Sequence, residues 1–232
     1  ICDLIIKSFP KSFGAKKCTI LKNQIEQKTL SIKTEEYIPI DKNSRLLVTY
    51  KNVKKLFFTA YNISQKQQEE LYKIYKFEDK KAFIYKLNKA KTWKHQLRNE
   101  HDYLQHTTEV IVPKFDNGMY LILASETDDL QEGSIYGTTY IQATNLTLIQ
   151  NNFDGKYNYQ VVDRNTGKPI HKATIHLKNK VFKNLNYINR KLTTNKLGFA
   201  SFKSDEVYRN VNISVTTKND FATFGNHYLY EY

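Results

Sequence analysis

From Thr29 onward the apolar residues of this chain recur mostly at every second position, and turn-forming residues break the pattern about every 8–12 residues. A period of two suits one structure, a pleated strand with one face buried. Leu30, Ile32 and Thr34 alternate with Ser31, Lys33 and Glu35. Further strands are expected at 45–50, 55–63, 93–97, 103–112, 119–125 and along 136–150. Between them stand Lys51-Asn52 and Asp116-Asn117-Gly118, both turn chemistry, and Pro113, which suits a strand end. After residue 155 the rhythm is cleaner. Strands are expected at 156–163, 173–177, 192–194, 199–202, 211–216 and 221–230, with a loop at 181–189 and a turn at Asp163-Arg164-Asn165-Thr166-Gly167-Lys168-Pro169. The expected fold class is all-β, two consecutive antiparallel β-sandwiches.

Two stretches depart from that rhythm. Residues 1–27 are weakly periodic and read as a lead-in, with Ile20, Leu21 and Ile25 forming at most a turn or two of helix. Residues 65–90 are rich in helix formers. Leu71, Ile74 and Tyr75 share one helical spacing, Glu69 and Glu70 precede the lysines, and Phe83, Ile84 and Leu87 follow Glu78-Asp79 on a second apolar face. This stretch reads as a helical insertion in the first sandwich. The expected division is a lead-in at 1–27, a first sandwich at 28–144 and a second at 145–232, with the boundary near 143–146.

Composition excludes several classes. At 232 residues with 17 Tyr and 13 Phe, the chain is too aromatic for a disordered basic tail. No apolar run reaches the length of a membrane-spanning helix. Two cysteines cannot build a disulfide-dense scaffold or a cysteine-rich zinc module. Cys2 and Cys18 allow one disulfide or two free thiols, and their positions in the sequence do not choose. The chain opens Ile1-Cys2-Asp3 without Met and its last strand pattern simply stops, so a piece of something longer is expected.

The net charge is +13. Residues 146–232 carry 13 basic and 6 acidic side chains, residues 1–145 the remaining 23 and 17. The excess is thus spread over both halves. Its densest stretch, 86–98, is interrupted by Leu, Ala, Trp and His. Nucleic-acid binders concentrate charge on one face and favour Arg, whereas Lys dominates here. No nucleic-acid partner is expected.

Candidate chemistry is sparse. His101 and His106 are five apart, as are His171 and His176, and on a strand an odd spacing points two rings to opposite faces. Glu126, Asp128, Asp129 and Glu132 are acidic neighbours without the spacing or sharp Gly turn of a calcium loop. Phosphate loop, nucleophile elbow and His-Glu-x-x-His are all missing. Asn62-Ile63-Ser64, Asn145-Leu146-Thr147 and Asn212-Ile213-Ser214 match the glycosylation sequon, unremarkable in a chain this rich in Asn, Ser and Thr. No catalytic, cofactor-binding or metal-binding residue is expected, and the chain is read as a non-enzyme.

Some of these stretches carry a family resemblance. Tyr50-Lys51-Asn52-Val53-Lys54-Lys55-Leu56-Phe57-Phe58, then Asp102 to Val110, Pro113 and Gly118 to Ser125, resemble the early domains of bacterial alpha-2-macroglobulin-like proteins. Thr144-Asn145-Leu146-Thr147-Leu148-Ile149 resembles the strand entering the next macroglobulin-like domain, which would hold the Thr166-Gly167-Lys168-Pro169 and Thr193-Thr194-Asn195-Lys196-Leu197-Gly198-Phe199 turns. The resemblance covers about residues 15–232. The second half also resembles carboxypeptidase-regulatory-like and other cell-surface sandwich repeats. The family's Cys-x-Glu-Gln thioester motif is missing, since Gln24-Ile25-Glu26-Gln27 lacks the Cys. Its Asp-Arg-x-x-Tyr-Arg-Pro-Gly motif is missing too, and the resemblance places it beyond Tyr232.

The resemblance implies a non-catalytic scaffold fragment of a protein that entraps or inhibits proteases at the cell envelope. It implies a periplasmic or envelope location, with any lipid anchor on a segment outside this chain. Partners would be neighbouring macroglobulin-like domains, and target proteases through the whole protein. The alternative is an adhesion or glycan-binding module of stacked sandwiches, which would line exposed aromatics along one face.

Overall fold

A computed structural model describes residues 1–230 except Asp154 and 182–185. The chain opens with helices α1 (Cys2–Ser8) and α2 (Phe13–Glu26). Strands β1 (Thr29–Thr34), β2 (Tyr37–Ile38), β3 (Ser44–Lys51) and β4 (Lys55–Asn62) follow, then helices α3 (Gln65–Tyr72) and α4 (Phe77–Tyr85). Next come β5 (Lys89–Gln96), β6 (His106–Val112), β7 (Gly118–Ser125) and β8 (Tyr136–Ala143). The rest is all strand: β9 (Leu146–Phe153), β10 (Lys156–Asp163), β11 (Thr174–Lys178), β12 (Asn189–Thr193), β13 (Phe199–Lys203), β14 (Tyr208–Thr216) and β15 (Phe221–Leu229). Two compact units result. One comprises Ile1–Glu35, Arg45–Val112 and Met119–Ile141; the other comprises Glu36–Ser44, Pro113–Gly118 and everything from Gln142 onward.

In the first unit, β1, β3 and β6 form one sheet in that order, and β8, β7, β4 and β5 run side by side in another. Strand β7 reads Met-Tyr-Leu-Ile-Leu-Ala with no alternation because both of its faces are covered. Tyr120, Ile122 and Ala124 stand opposite Asn62, Ala60 and Phe58 of β4 and share the face on which Leu56, Phe58 and Ala60 are buried. Leu121 and Leu123 point the other way. They form a cluster with Tyr61, Ile63, Leu71 of α3, Ile84 of α4, Leu87 and Leu130. The helices of 65–90 therefore roof the second face of this sheet. Ser64 starts α3 with a reciprocal capping box to Gln67.

The boundaries differ from expectation in physically clear ways. Glu78 and Asp79 do not separate the helices; they sit in the first turn of α4, where the helix dipole favours acids. Tyr75 lies beyond the end of α3 and is 89% exposed. Strand β6 starts at His106, not at residue 103, because His101 and Tyr103 adopt φ of 57° and 56° and cannot continue a strand. The lead-in is two helices rather than a turn or two. Ser12 caps α2 by accepting from the Ala15 N–H at 3.0 Å. Periodicity was faint there because Leu4, Phe13, Ile20 and Leu21 are all exposed and Ala15 alone in the two helices is buried.

The second unit is a sandwich of β13-β10-β9 against β12-β11-β14-β15. Strict alternation aims Tyr157, Tyr159 and Val161 of β10, Ile175 and Leu177 of β11, and Val211, Ile213 and Val215 of β14 into one core. The expected loop at 181–189 falls partly outside the described residues, and β12 begins at its last position. One core feature is unfavourable. The Tyr159 hydroxyl is fully buried and makes no hydrogen bond, and burial pushes its ionisation upward. Removing an unsatisfied buried hydroxyl relieves a desolvation penalty of about 1–3 kcal/mol. Tyr159→Phe is expected to raise the urea midpoint of the second unit, whereas Tyr159→Ala, which empties the ring's volume, lowers it steeply.

Candidate functional site

The most developed polar constellation lies in the second unit, around the turn joining β14 to β15. That turn closes on itself, the Thr217 N–H donating to the Asp220 carbonyl at 2.8 Å. It presents the half-buried Asp220 carboxylate to two other passes of the chain. Oδ1 accepts from Asn117 Nδ2 at 2.6 Å and from Thr144 Oγ1 at 2.9 Å, and Oδ2 accepts from the Asn145 N–H at 2.8 Å. Burial pushes the Asp220 carboxyl above its ordinary value, opposed by the Asn145 N–H and the Thr144 hydroxyl.

Around this carboxylate, side-chain amides stand in for strand hydrogen bonds. Asn117 accepts from the Phe221 N–H at 3.1 Å, and its NH2 also reaches the carbonyls of Ala143 at 2.8 Å and Phe221 at 3.0 Å. Gln142, only 4% exposed, pairs with the backbone of Thr223, donating at 2.9 Å and accepting at 3.0 Å. Asn145 Oδ1 accepts from the Ile40 N–H at 3.1 Å and from Asn165 Nδ2 at 3.0 Å. Tyr37 stacks on Phe224 with ring centroids 5.4 Å apart and donates its hydroxyl to the Thr223 carbonyl. Segments 36–44, 113–118 and 142–145, distant in sequence, are thereby fastened to one hairpin.

Both Asp220 oxygens are occupied by donors from other segments of the chain, an arrangement that can hold backbone in place. Sequence reasoning missed the arrangement. Asn117 reads as a turn residue and Asn145 as a sequon, and nothing local marks Asp220. The one available signal was Gln142, a polar side chain flanked directly by the apolar Ile141 and Ala143.

The residues weighed in the sequence go elsewhere. His101 lies in a loop, so strand parity does not apply to it; it lines a cleft of about 290 Å³ in the first unit with Glu26, Asn52, Lys54, Asn99 and Tyr103. His106 stands 2.9 Å from Asp102, whose carboxyl is held below its usual range chiefly by the Leu104 N–H and then by His106. His176 contacts Asn189 Oδ1 at 2.7 Å across β11 and β12, while His171 lies before β11. In the acidic loop, Glu126 binds Lys28 at 2.6 Å and Asp129 accepts from the Tyr85 hydroxyl at 2.6 Å. Among the described residues no group of three or more His, Cys, Asp or Glu is placed to hold a metal. The basic stretch 86–98 forms β5, an edge strand whose Lys89, Lys91 and Lys94 are the charges that discourage edge-to-edge pairing. Of the sequons, Asn62 is exposed and Ser64 is a helix cap, while Asn212 donates to Thr223 Oγ1 at 3.2 Å.

No family model matches the chain, and no curated protein matches it by sequence. Solved structures do match. Native alpha-2-macroglobulin from Escherichia coli, in the structure spanning domains NIE-MG1, is similar with a TM-score of 0.57 over 86% of this chain and 97% of that one. The chain shares its fold with macroglobulin-like domains. A longer structure of the same E. coli alpha-2-macroglobulin, spanning MG0-NIE-MG1, gives a TM-score of 0.59 over 86% of this chain, which spans 64% of that one. Identity is 9% in both cases, so the likeness to alpha-2-macroglobulin is one of backbone course.

Proposed function

We propose that this chain is a non-catalytic scaffold fragment of a bacterial alpha-2-macroglobulin-like protein that entraps or inhibits proteases at the cell envelope. The observation that carries the reading is the match along 97% of the E. coli NIE-MG1 structure, which takes in the whole span of two consecutive domains rather than a single sandwich. The two compact units are then two early macroglobulin-like domains, and their partners are neighbouring domains of the same longer protein. The Asp220 clamp supports a framework role, since it commits the most concentrated polar chemistry of the second unit to fixing backbone. No described helix is long and apolar enough to cross a membrane.

The glycan-binding alternative gains no support. Exposed aromatics such as Phe13, Tyr72, Tyr103, Phe153 and Tyr228 are distributed over separate stretches of the chain. The test is to mix the full-length protein with a protease and follow two substrates. Entrapment predicts that cleavage of a large protein substrate falls at least tenfold while cleavage of a small peptide persists. The 232-residue chain alone should change neither. A full-length protein that protects neither substrate, or that blocks both equally, overturns the entrapment reading.

A further inference from the structure

The two cysteines of the chain meet across the helical hairpin at its start. Helix α1 packs against α2 along a short ladder. Ile5 Cγ2 lies 3.7 Å from where a Cβ on Gly14 would stand, an ordinary van der Waals separation that places α1 against α2 at that end. At the other end the Asp3 carboxylate takes the Lys22 ammonium at 2.7 Å. Gly14, Cys18 and Lys22 are four apart on one face of α2, and Cys2, Asp3 and Ile5 fall on the first turns of α1. Cys18 therefore sits between these two contacts, one helical turn from each, with Cys2 beside it. The neighbouring Cys2 thiol pushes the Cys18 thiol up. Both cysteines are free and half-exposed, so a small oxidant can reach them.

We propose that Cys2 and Cys18 are an oxidisable pair whose disulfide staples α1 to α2. The reaction is thiol–disulfide exchange with a low-molecular-weight disulfide such as oxidised glutathione. One cysteine thiolate attacks the glutathione disulfide, forms a mixed disulfide and expels one glutathione thiolate. The other cysteine thiolate then attacks the cysteine sulfur of that mixed disulfide and expels the second. The two protons lost by the cysteines go to the two departing thiolates. The protein loses two hydrogens and is oxidised, and one glutathione disulfide is reduced to two thiols. The bond acts where it is needed, because α1 has seven residues and none of them is buried. A helix this short holds only through tertiary contacts.

The experiment uses the whole 232-residue chain equilibrated in glutathione buffers from reducing to oxidising. Intact mass should show the loss of two hydrogens without bound glutathione, and a non-reduced peptide map should join the Cys2 and Cys18 peptides. Amide exchange in α1 should slow about tenfold in the oxidised chain. Cys18→Ser and Cys2→Ser alter half-exposed positions and should each abolish both changes. Persistent glutathione adducts at the two cysteines, a disulfide-linked dimer, or an unchanged mass would overturn the proposal. So would an internal bond that leaves α1 exchange unaltered, since no staple would then exist.

Discussion

Replacing Asp220 by alanine should destabilise the second unit by about 3 kcal/mol, the cost of leaving several donors near a half-buried site without their acceptor. Asn117, Thr144 and Asn145 all donate to this one carboxylate, and Asn117 in turn accepts from Phe221. The loss should therefore exceed that of an ordinary surface Asp, which is within about 0.5 kcal/mol. Urea unfolding followed by near-UV absorption or fluorescence would read it as a fall in midpoint. Its pH dependence has a definite sign. The Asp220 carboxyl titrates above its ordinary value because burial disfavours the charge. The folded state then binds this proton more tightly than the unfolded state. The contribution is complete below the unfolded value and declines as pH rises through the folded one. The gap between the wild type and Asp220→Ala should accordingly narrow as pH climbs from about 3.8 toward neutrality. A gap that widens would mean that the three donors outweigh burial.

The clamp also shows why part of this molecule was legible in the sequence and part was not. Strands β3, β10 and β14 announce themselves because one face of each meets a core and the other is more open to solvent, and a period of two records that asymmetry. Strand β7 lacks alternation yet was still readable from its apolar run after Asp116-Asn117-Gly118. What that run could not convey is that α3 and α4 cover its second face, since the helices lie more than thirty residues earlier in the chain. The opening hairpin was faint for the opposite reason: exposed apolar residues erase the stripe on which helix detection rests. The clamp was invisible because it is built from long-range pairs. Asn117 and Asp220 stand 103 positions apart, and Gln142 and Thr223 stand 81 apart. Each residue taken singly has a commoner local meaning, and only the fold brings the donors to the acceptor.

Two glycines that look alike in sequence should respond very differently to substitution. Gly167 and Gly198 each close a turn before a strand and each adopts a left-handed backbone, with φ of 69° and 75°. At Gly167 an added Cβ meets nothing within 4 Å, so Gly167→Ala should cost only the left-handed penalty of about 1 kcal/mol. At Gly198 the same Cβ would stand 2.5 Å from the Val161 carbonyl oxygen and 3.1 Å from Pro169 Cβ. Neither neighbour can yield easily. Val161 is on the central strand β10 of its sheet, its carbonyl accepts from the Ile170 N–H at 2.9 Å, and its N–H donates back to the Gly198 carbonyl at 2.9 Å. Relieving the contact means parting these hydrogen bonds or moving β10, whose Tyr159 and Val161 lie at the centre of the core. Gly198→Ala should therefore cost about 3–4 kcal/mol, the steric displacement adding to the backbone penalty. The two variants compared by urea midpoint make the test internal, because both remove a glycine at positive φ from the same unit. Equal losses would show that the turn conformation alone governs Gly198. A loss at Gly198 several times larger would show that its role is to let the 195–199 turn lie directly against the backbone of β10.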